Sequence, residues 1–140
     1  MSLGLFMDEL WVCPNKDGAT WRVVHHAFRY QCADETIITV PPGFVTDFAS
    51  VPRGVWNMFP PWASYGWAAV IHDWLYKSQT TTKAVADLIF LEAMEMLGVP
   101  LTTRQILYHT VQFAGAAAWD AHTAEADRWR RLVTHQEKIL

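Results

Sequence analysis

The sequence predicts an α+β fold in which a small antiparallel sheet in the N-terminal half packs on three or four helices in the C-terminal half. In the first half, short β-branched or alternating runs are separated by turn residues. In the second half, longer runs have apolar residues at helical spacing, with capping residues before them and glycine or proline after them. The 140 residues are expected to form a single domain, residues 1–140, with a core of its own.

Three runs in the first half are expected to be strands. Residues 6–12 are apolar and end at the turn signal P-N-K-D-G, residues 20–30 alternate between two faces, and the β-branched run T-I-I-T-V follows a turn at A-D-E. Proline cannot donate to a strand ladder, so the last run is expected to stop at Pro41. His25 and His26 fall within the second run, where at most one of them can face the core.

The most informative stretch is Y-G-W-A-A-V-I-H-D-W-L-Y, residues 65–76. Its apolar residues predict a helix that is buried on nearly every side and covered by the sheet. His72 and Asp73 lie in its middle, where a charge is costly unless it is paired or bound to a metal. Tyr76 shares a face with His72. We expect His72 and Asp73 to form a dyad that another part of the fold contacts, so that Asp73→Ala would leave His72 unpaired and lower the free energy of unfolding by about 2–4 kcal/mol.

The next helix is predicted over residues 83–97, after the N-cap candidates in S-Q-T-T-T. Asp87 falls on its apolar stripe, where no carboxylate is expected. The structural explanation is an ion pair inside the helical bundle. The candidate cations are Lys83, Arg53 and Arg104.

Two further helical segments follow. Gly98 ends the second helix and Pro100 blocks its continuation, while Thr102 and Gln105 form a capping box for the third. The run A-G-A-A-A then provides a small-residue face that lets another helix approach closely. Residues 120–140 are more polar, with arginines alternating with acids, which favours a solvated or partner-facing helix.

The segment F-V-T-D-F-A-S-V-P-R, residues 44–53, is predicted to be a loop with unusual polar content. Asp47 and Ser50 can each bond neighbouring backbone N–H groups. Asp47 can equally reach toward His72 and Asp73, or accept a bidentate contact from Arg53.

Composition excludes several classes of protein. The net charge of −3 and the pI near 6.0 argue against a dedicated nucleic-acid binder. No apolar run approaches the roughly 20 residues of a membrane span, and no signal peptide is recognised, so a soluble chain made in the cytoplasm is expected. Cys13 and Cys32 are expected to be free thiols. The eight Trp residues fit either a core or a partner interface.

Three ordered motifs, P-P-G-F-V-T-D-F-A-S-V-P-R, A-A-V-I-H-D-W-L-Y and A-D-L-I-F-L-E-A-M, resemble a family of unknown function that tailed bacteriophages and prophages encode. The resemblance covers roughly residues 36–119 and implies a phage origin and a common fold, with no established activity. Family members commonly carry an Arg shortly before the A-D pair, where this chain has Thr82 and Lys83. The polar positions carried over by motif are Asp47, Ser50, Arg53, His72, Asp73, Tyr76 and Asp87.

One hypothesis for the function is a small virion component, such as a tail, baseplate or connector subunit. The phage resemblance and the excess of Trp favour it. Its partners would be other phage structural proteins or further copies of the chain, first in the host bacterial cytoplasm and then in the virion. The buried polar residues would fix the packing of the helices, and no cofactor would be needed.

The alternative is a metal-dependent hydrolase. His72, Asp73 and Asp87, with Asp47 as a further carboxylate, would bind Zn²⁺, Mn²⁺ or Mg²⁺, and the metal would lower the pKa of a bound water. A spare carboxylate would act as general base. The catalytic candidates are the seven polar positions named above. A Cys–His hydrolase is a third possibility, although neither cysteine is expected at a helix N-terminus, where its pKa would fall.

Overall fold

The computed structural model describes residues 4–47, 53–56 and 65–139. Within these ranges six short strands precede five helices, so the predicted α+β fold is confirmed. The strands are β1 (Leu5–Phe6), β2 (Val12–Pro14), β3 (Trp21–Val23), β4 (Phe28–Gln31), β5 (Ile37–Val40) and β6 (Val45–Thr46). The helices are α1 (Arg53–Trp56), α2 (Gly66–Ser78), α3 (Lys83–Met96), α4 (Leu101–Ala114) and α5 (Ala116–Ile139).

The strands form two antiparallel sheets of three strands each, ordered β1-β4-β5 and β2-β3-β6. The prediction of one continuous strand over residues 20–30 was wrong, because His25 adopts a left-handed φ of 74°. The N–H of His26 donates to the carbonyl of Val24 at 3.0 Å, which closes a tight turn there. This turn moves the chain from one sheet to the other. Both histidines are exposed and lie outside the strands.

The predicted turns of the first half are confirmed. Asp17 Oδ1 accepts hydrogen bonds from the backbone N–H groups of Ala19 and Thr20, both at 2.9 Å. In the A-D-E turn, Asp34 Oδ1 accepts from the N–H of Thr36 at 3.0 Å. Such local side-chain bonds stabilise turns. β5 ends at Val40, immediately before Pro41, as expected from the missing proline donor.

Helix α2 is buried as predicted and contacts β5, β6, α3 and α5. On its sheet side, Trp67 packs edge-on against the rings of Phe6 and Phe28, with ring centroids 5.6 Å apart in both pairs. Trp67, Trp74 and Trp119 are half-buried against the core, whereas Trp11 is 50% exposed. The described tryptophans therefore serve both the core and the surface.

The ends of α3 agree with the sequence, but the start of α4 does not. Thr82 Oγ1 accepts the N–H of Val85 at 3.3 Å, and Gly98 follows α3 with a φ of 75°. The predicted capping box at Thr102 was wrong. α4 begins at Leu101, two residues earlier than a cap at Thr102 predicts, with Pro100 as its N-cap and no side-chain cap bond, so that Thr102 already lies in the first turn.

Helix α5 has 24 residues, and its described side chains beyond Trp119 are mostly exposed, in agreement with the predicted solvated or partner-facing helix. In the described part of the chain, none of the helices combines the length and the apolar character needed to cross a membrane.

The turn at Glu35 provides a test of backbone strain. Glu35 is exposed and has a φ of 73°, a region that costs a non-glycine residue about 1–2 kcal/mol. We expect Glu35→Gly to raise the free energy of unfolding by about 0.5–1 kcal/mol, because relief of this strain exceeds the added chain entropy of glycine. Urea unfolding measures the change. Glu35→Ala, which removes the side chain and keeps the strain, is the control and should give no gain.

Candidate functional site

His72 and Asp73 are both 0% exposed, yet they do not pair with each other. His72 Nε2 lies 2.8 Å from Asp87 Oδ1, whereas Asp73 Oδ2 accepts a 2.5 Å hydrogen bond from Thr46 Oγ1. Helix α3 therefore meets His72, and β6 meets Asp73. The expected dyad was wrong, and so was its consequence for Asp73→Ala, since that change leaves the bond between His72 and Asp87 in place.

Asp87 is the acceptor at the centre of the first cluster and is 1% exposed. Its Oδ1 accepts hydrogen bonds from His72 Nε2 at 2.8 Å and from Tyr76 Oη at 2.7 Å. Its Oδ2 accepts from Lys83 Nζ at 2.8 Å. The structural ion pair predicted for Asp87 is thus made by Lys83, four residues earlier on the same helix. We call His72, Tyr76, Lys83 and Asp87 the Asp87 network.

The protonation states in the Asp87 network follow from burial and hydrogen bonding. Burial alone would raise the pKa of Asp87, but hydrogen bonds from His72, Lys83 and Tyr76 outweigh it and hold that pKa below its usual range. Burial also lowers the pKa of His72, although the Asp87 carboxylate opposes this shift. A carboxylate only accepts, so the neutral His72 ring must donate from Nε2. Among the described residues its Nδ1 has no hydrogen-bond partner, as fits an unprotonated nitrogen.

Tyr76 completes the network as a neutral donor. Burial raises the pKa of its hydroxyl, and the hydrogen bond to Asp87 adds to the effect. The imidazole of His72 lies between two rings, with centroids 4.3 Å from Tyr76 and 4.6 Å from Phe90. The donors are therefore held by packing as well as by hydrogen bonds.

Asp73 lies in a second cluster, where α2 meets β6. Lys77 Nζ is 3.7 Å from Asp73 Oδ2 and donates to the carbonyl of Val45 at 2.8 Å. Burial raises the pKa of Asp73. The positive charge of Lys77 and the hydrogen bond from Thr46 lower this pKa, but only in part. The nearby Asp47 carboxylate adds to the increase. Within the described part of the chain, Asp73 Oδ1 is buried without a hydrogen-bond partner.

The structure places five of the seven predicted site residues in or beside the two clusters. His72, Tyr76 and Asp87 lie together, and Asp47 follows β6 near Asp73. Of the other two, Arg53 is the first residue of α1, and Ser50 lies outside the described residues.

Sequence reasoning missed two members of the second cluster. Thr46 and Lys77 were not singled out, although both contact Asp73. Lys77 follows Asp73 by four residues on one helix, a spacing that brings side chains together. The same spacing links Lys83 to Asp87. The spacing of four residues was therefore a signal in the sequence that could have identified Lys77.

The metal alternative requires several ligand side chains close together. Across residues 4–47, 53–56 and 65–139, no three His, Cys, Asp or Glu side chains are placed to hold a metal ion. At Asp87 a protein cation is already present, because Lys83 binds Oδ2 while His72 and Tyr76 bind Oδ1. A metal ion there would have to displace the lysine and the donated hydrogen bonds.

The two thiols are free, as expected. Cys13 lies in β2, opposite Arg22 of β3. Cys32 is buried, and burial, with the charges of Glu92 and Asp34, raises its pKa to about 11. The reactive thiolate is therefore disfavoured at Cys32.

Removal of the Asp87 carboxylate should be strongly destabilising. We expect Asp87→Ala to lower the free energy of unfolding by about 3–5 kcal/mol, since it leaves three donors without their acceptor and Lys83 without its counter-ion. Urea unfolding at pH 7 measures this. Asp73→Ala is the matched control and should cost less, because Asp73 is already penalised when ionised. An equal or larger cost for Asp73→Ala would contradict the assignment.

The buried neutral His72 should also make stability depend on pH. The native state lowers its pKa from 6.5, so the unfolded chain takes up this proton at a higher pH than the native one does. The free energy of unfolding should therefore fall on acidification below pH 6.5, by up to about 1.4 kcal/mol per pH unit, until native His72 also protonates.

The His72→Gln variant keeps an N–H donor for Asp87 and should lose this dependence. The quantity to measure is the difference in unfolding free energy between wild type and His72→Gln, from about pH 7.5 to 5.5, a window around the reference pKa of His. Asp73, whose raised pKa gives the opposite dependence, is present in both proteins and cancels. A difference that stays constant across this range would refute a buried neutral His72.

Comparison with known proteins identifies the family. A family model described as protein of unknown function (DUF1353) matches residues 21–111, more than half of the chain. The match includes both clusters. No curated protein and no solved structure matches the chain. With residues 21–111 matched, the chain belongs to the DUF1353 family.

Proposed function

We propose that the protein is a small structural or assembly subunit of a tailed-bacteriophage virion, in the tail, baseplate or connector, and that it works through protein–protein contacts. The observation that carries this proposal is the exposure of large apolar side chains on the α3–α4 hairpin. Phe113 is 85% exposed, and Leu101, Leu88 and Ile106 are 59%, 53% and 43% exposed. Aromatic and large aliphatic residues at the surface are typical of binding sites between proteins.

The exposed residues follow helical faces. Ile106 and Phe113 are seven residues apart and share one face of α4, and Val85 and Leu88 are three apart and share one face of α3. A helical face of this kind binds a partner by burying its apolar side chains. The phage assignment is supported by the three ordered motifs in the sequence.

The Asp87 network supports a structural role for the buried polar residues. The side chains of His72 and Asp87 are 0% and 2% exposed, so a substrate in water has no access to them. Asp87 already accepts three hydrogen bonds, and its donors come from α2 and α3. These groups fix two helices against each other, which is the role expected of a scaffold rather than of an acid–base pair.

The test is the protein content of particles from the phage or prophage that encodes the chain. Quantitative mass spectrometry of gradient-purified particles should find a fixed copy number. Phe113→Ser should lower incorporation at least tenfold with little change in melting temperature, because this side chain is mostly solvated. Ile37→Thr, a change at another exposed apolar residue in β5, is the control and should incorporate normally. Absence of the wild-type chain from particles would refute the proposal.

Native mass spectrometry with metal analysis of the purified chain distinguishes the hydrolase alternative. We expect a discrete metal-free oligomer, or a monomer that assembles only with a particle protein. A stoichiometric divalent metal that is lost in His72→Ala would instead favour the metal-dependent hydrolase.

A further inference from the structure

The ammonium group of Lys83 binds three acceptors, one in α3 and two in α4. Its Nζ donates to Asp87 Oδ2 at 2.8 Å, and to the backbone carbonyls of Val111 and Gln112, both at 3.2 Å. These carbonyls belong to the last turn of α4. An ammonium has three donors, and here all three have acceptors. The first residue of α3 thus connects the buried carboxylate to the end of α4.

Helices α4 and α5 meet at Gly115, the one residue between them. Gly115 has helical angles, with φ −77° and ψ −13°. Its N–H donates to the Val111 carbonyl at 2.8 Å, and its own carbonyl accepts from the N–H of Trp119 at 2.9 Å. The Val111 carbonyl therefore serves both the helix and Lys83. Lys83 therefore contacts the helical hydrogen bonding directly where α4 meets α5.

The backbone of Gly115 lies directly against the Asp87 network. A Cβ at this position would be 2.5 Å from Tyr76 Oη and 3.3 Å from Lys83 Cε, and would also meet the Val111 carbonyl. One turn later, Trp119 packs edge-on against Tyr76 with centroids 5.1 Å apart. Gln79 Nε2 donates to the Trp119 carbonyl at 2.8 Å, so the first turn of α5 is held on α2.

We propose that Lys83 and Gly115 form a clasp that sets the direction of α5 and links it to the Asp87 network. Lys83 holds the end of α4, and the absence of a side chain at Gly115 lets the junction approach Tyr76. At 1.5 Å per residue, the 24 residues of α5 extend about 36 Å. A 10° change in direction at the junction would move the far end by about 6 Å. The clasp does not depend on the proposed virion role.

Distances between spin labels on α4 and α5 test the clasp. Thr102→Cys and Ala124→Cys are both exposed labelling sites, and Cys13→Ser removes the more accessible native thiol while buried Cys32 is kept. In the parent protein we expect one narrow distance distribution by pulsed electron spin resonance. Lys83→Met should shift or broaden it by several ångströms, and Lys83→Arg, which keeps a charged donor, should restore most of the parent distribution.

Lys77→Met is the matched control. Lys77 also lies four residues from a buried aspartate and donates to a backbone carbonyl, but that carbonyl is Val45 in β6. Its replacement should leave the distance between α4 and α5 unchanged. Only variants that remain folded are compared, so that a loss of stability is not read as a change in the distance.

Gly115→Ala is the second variant. It tests the close approach of Gly115 to Tyr76 while Lys83 is intact. Its Cβ should push α5 away from Tyr76 and change the label distance even if Lys83→Met does not fold. Parent distributions in both Lys83→Met and Gly115→Ala would overturn the proposal. So would a Lys77→Met variant that changes the distance as much as Lys83→Met does.

Discussion

The buried carboxylate of Asp87 is the interaction on which the helical half of the structure depends. A carboxylate removed from water is costly unless hydrogen bonds and an opposite charge compensate it. Here His72 and Tyr76 from α2 and Lys83 from α3 supply that compensation together. Helices α2 and α3 can therefore pack with a low free energy only in the register that brings all three donors to one carboxylate. The network selects this packing among other apolar arrangements.

The two clusters repeat one arrangement of side chains at two places in the fold. In each, an aspartate and a lysine four residues apart on one helix form a pair, Asp73 with Lys77 and Lys83 with Asp87. Each lysine then donates to the backbone of a different element, β6 in one case and the last turn of α4 in the other. A buried charge thereby joins a helix to a neighbouring element. α2 is fixed to the sheet and α3 to α4 by the same chemistry.

Sequence reasoning succeeded where the pattern is local and failed where pairing is decided in space. The buried α2 and the carboxylate of Asp87 on an apolar stripe follow from helical periodicity. The partner of His72 did not, because residues adjacent in a helix point in different directions, so Asp73 turns to β6 and His72 to α3. The break at His25 was missed because apolar alternation continues across a turn that needs no glycine or proline.

The polar motif residues and the exposed apolar residues lie in different parts of the fold. Most polar residues of the motifs form hydrogen bonds inside the protein. His72 and Tyr76 of H-D-W-L-Y bind Asp87 of the A-D pair. Asp73 binds Thr46 of V-T-D. The motifs therefore encode how α2 packs on its neighbours. Phe113, the most exposed aromatic ring among the described residues, lies just beyond the matched residues 21–111. A family can keep one interior while each member changes its surface, because a substitution at a solvated side chain leaves the buried carboxylates and their donors in place.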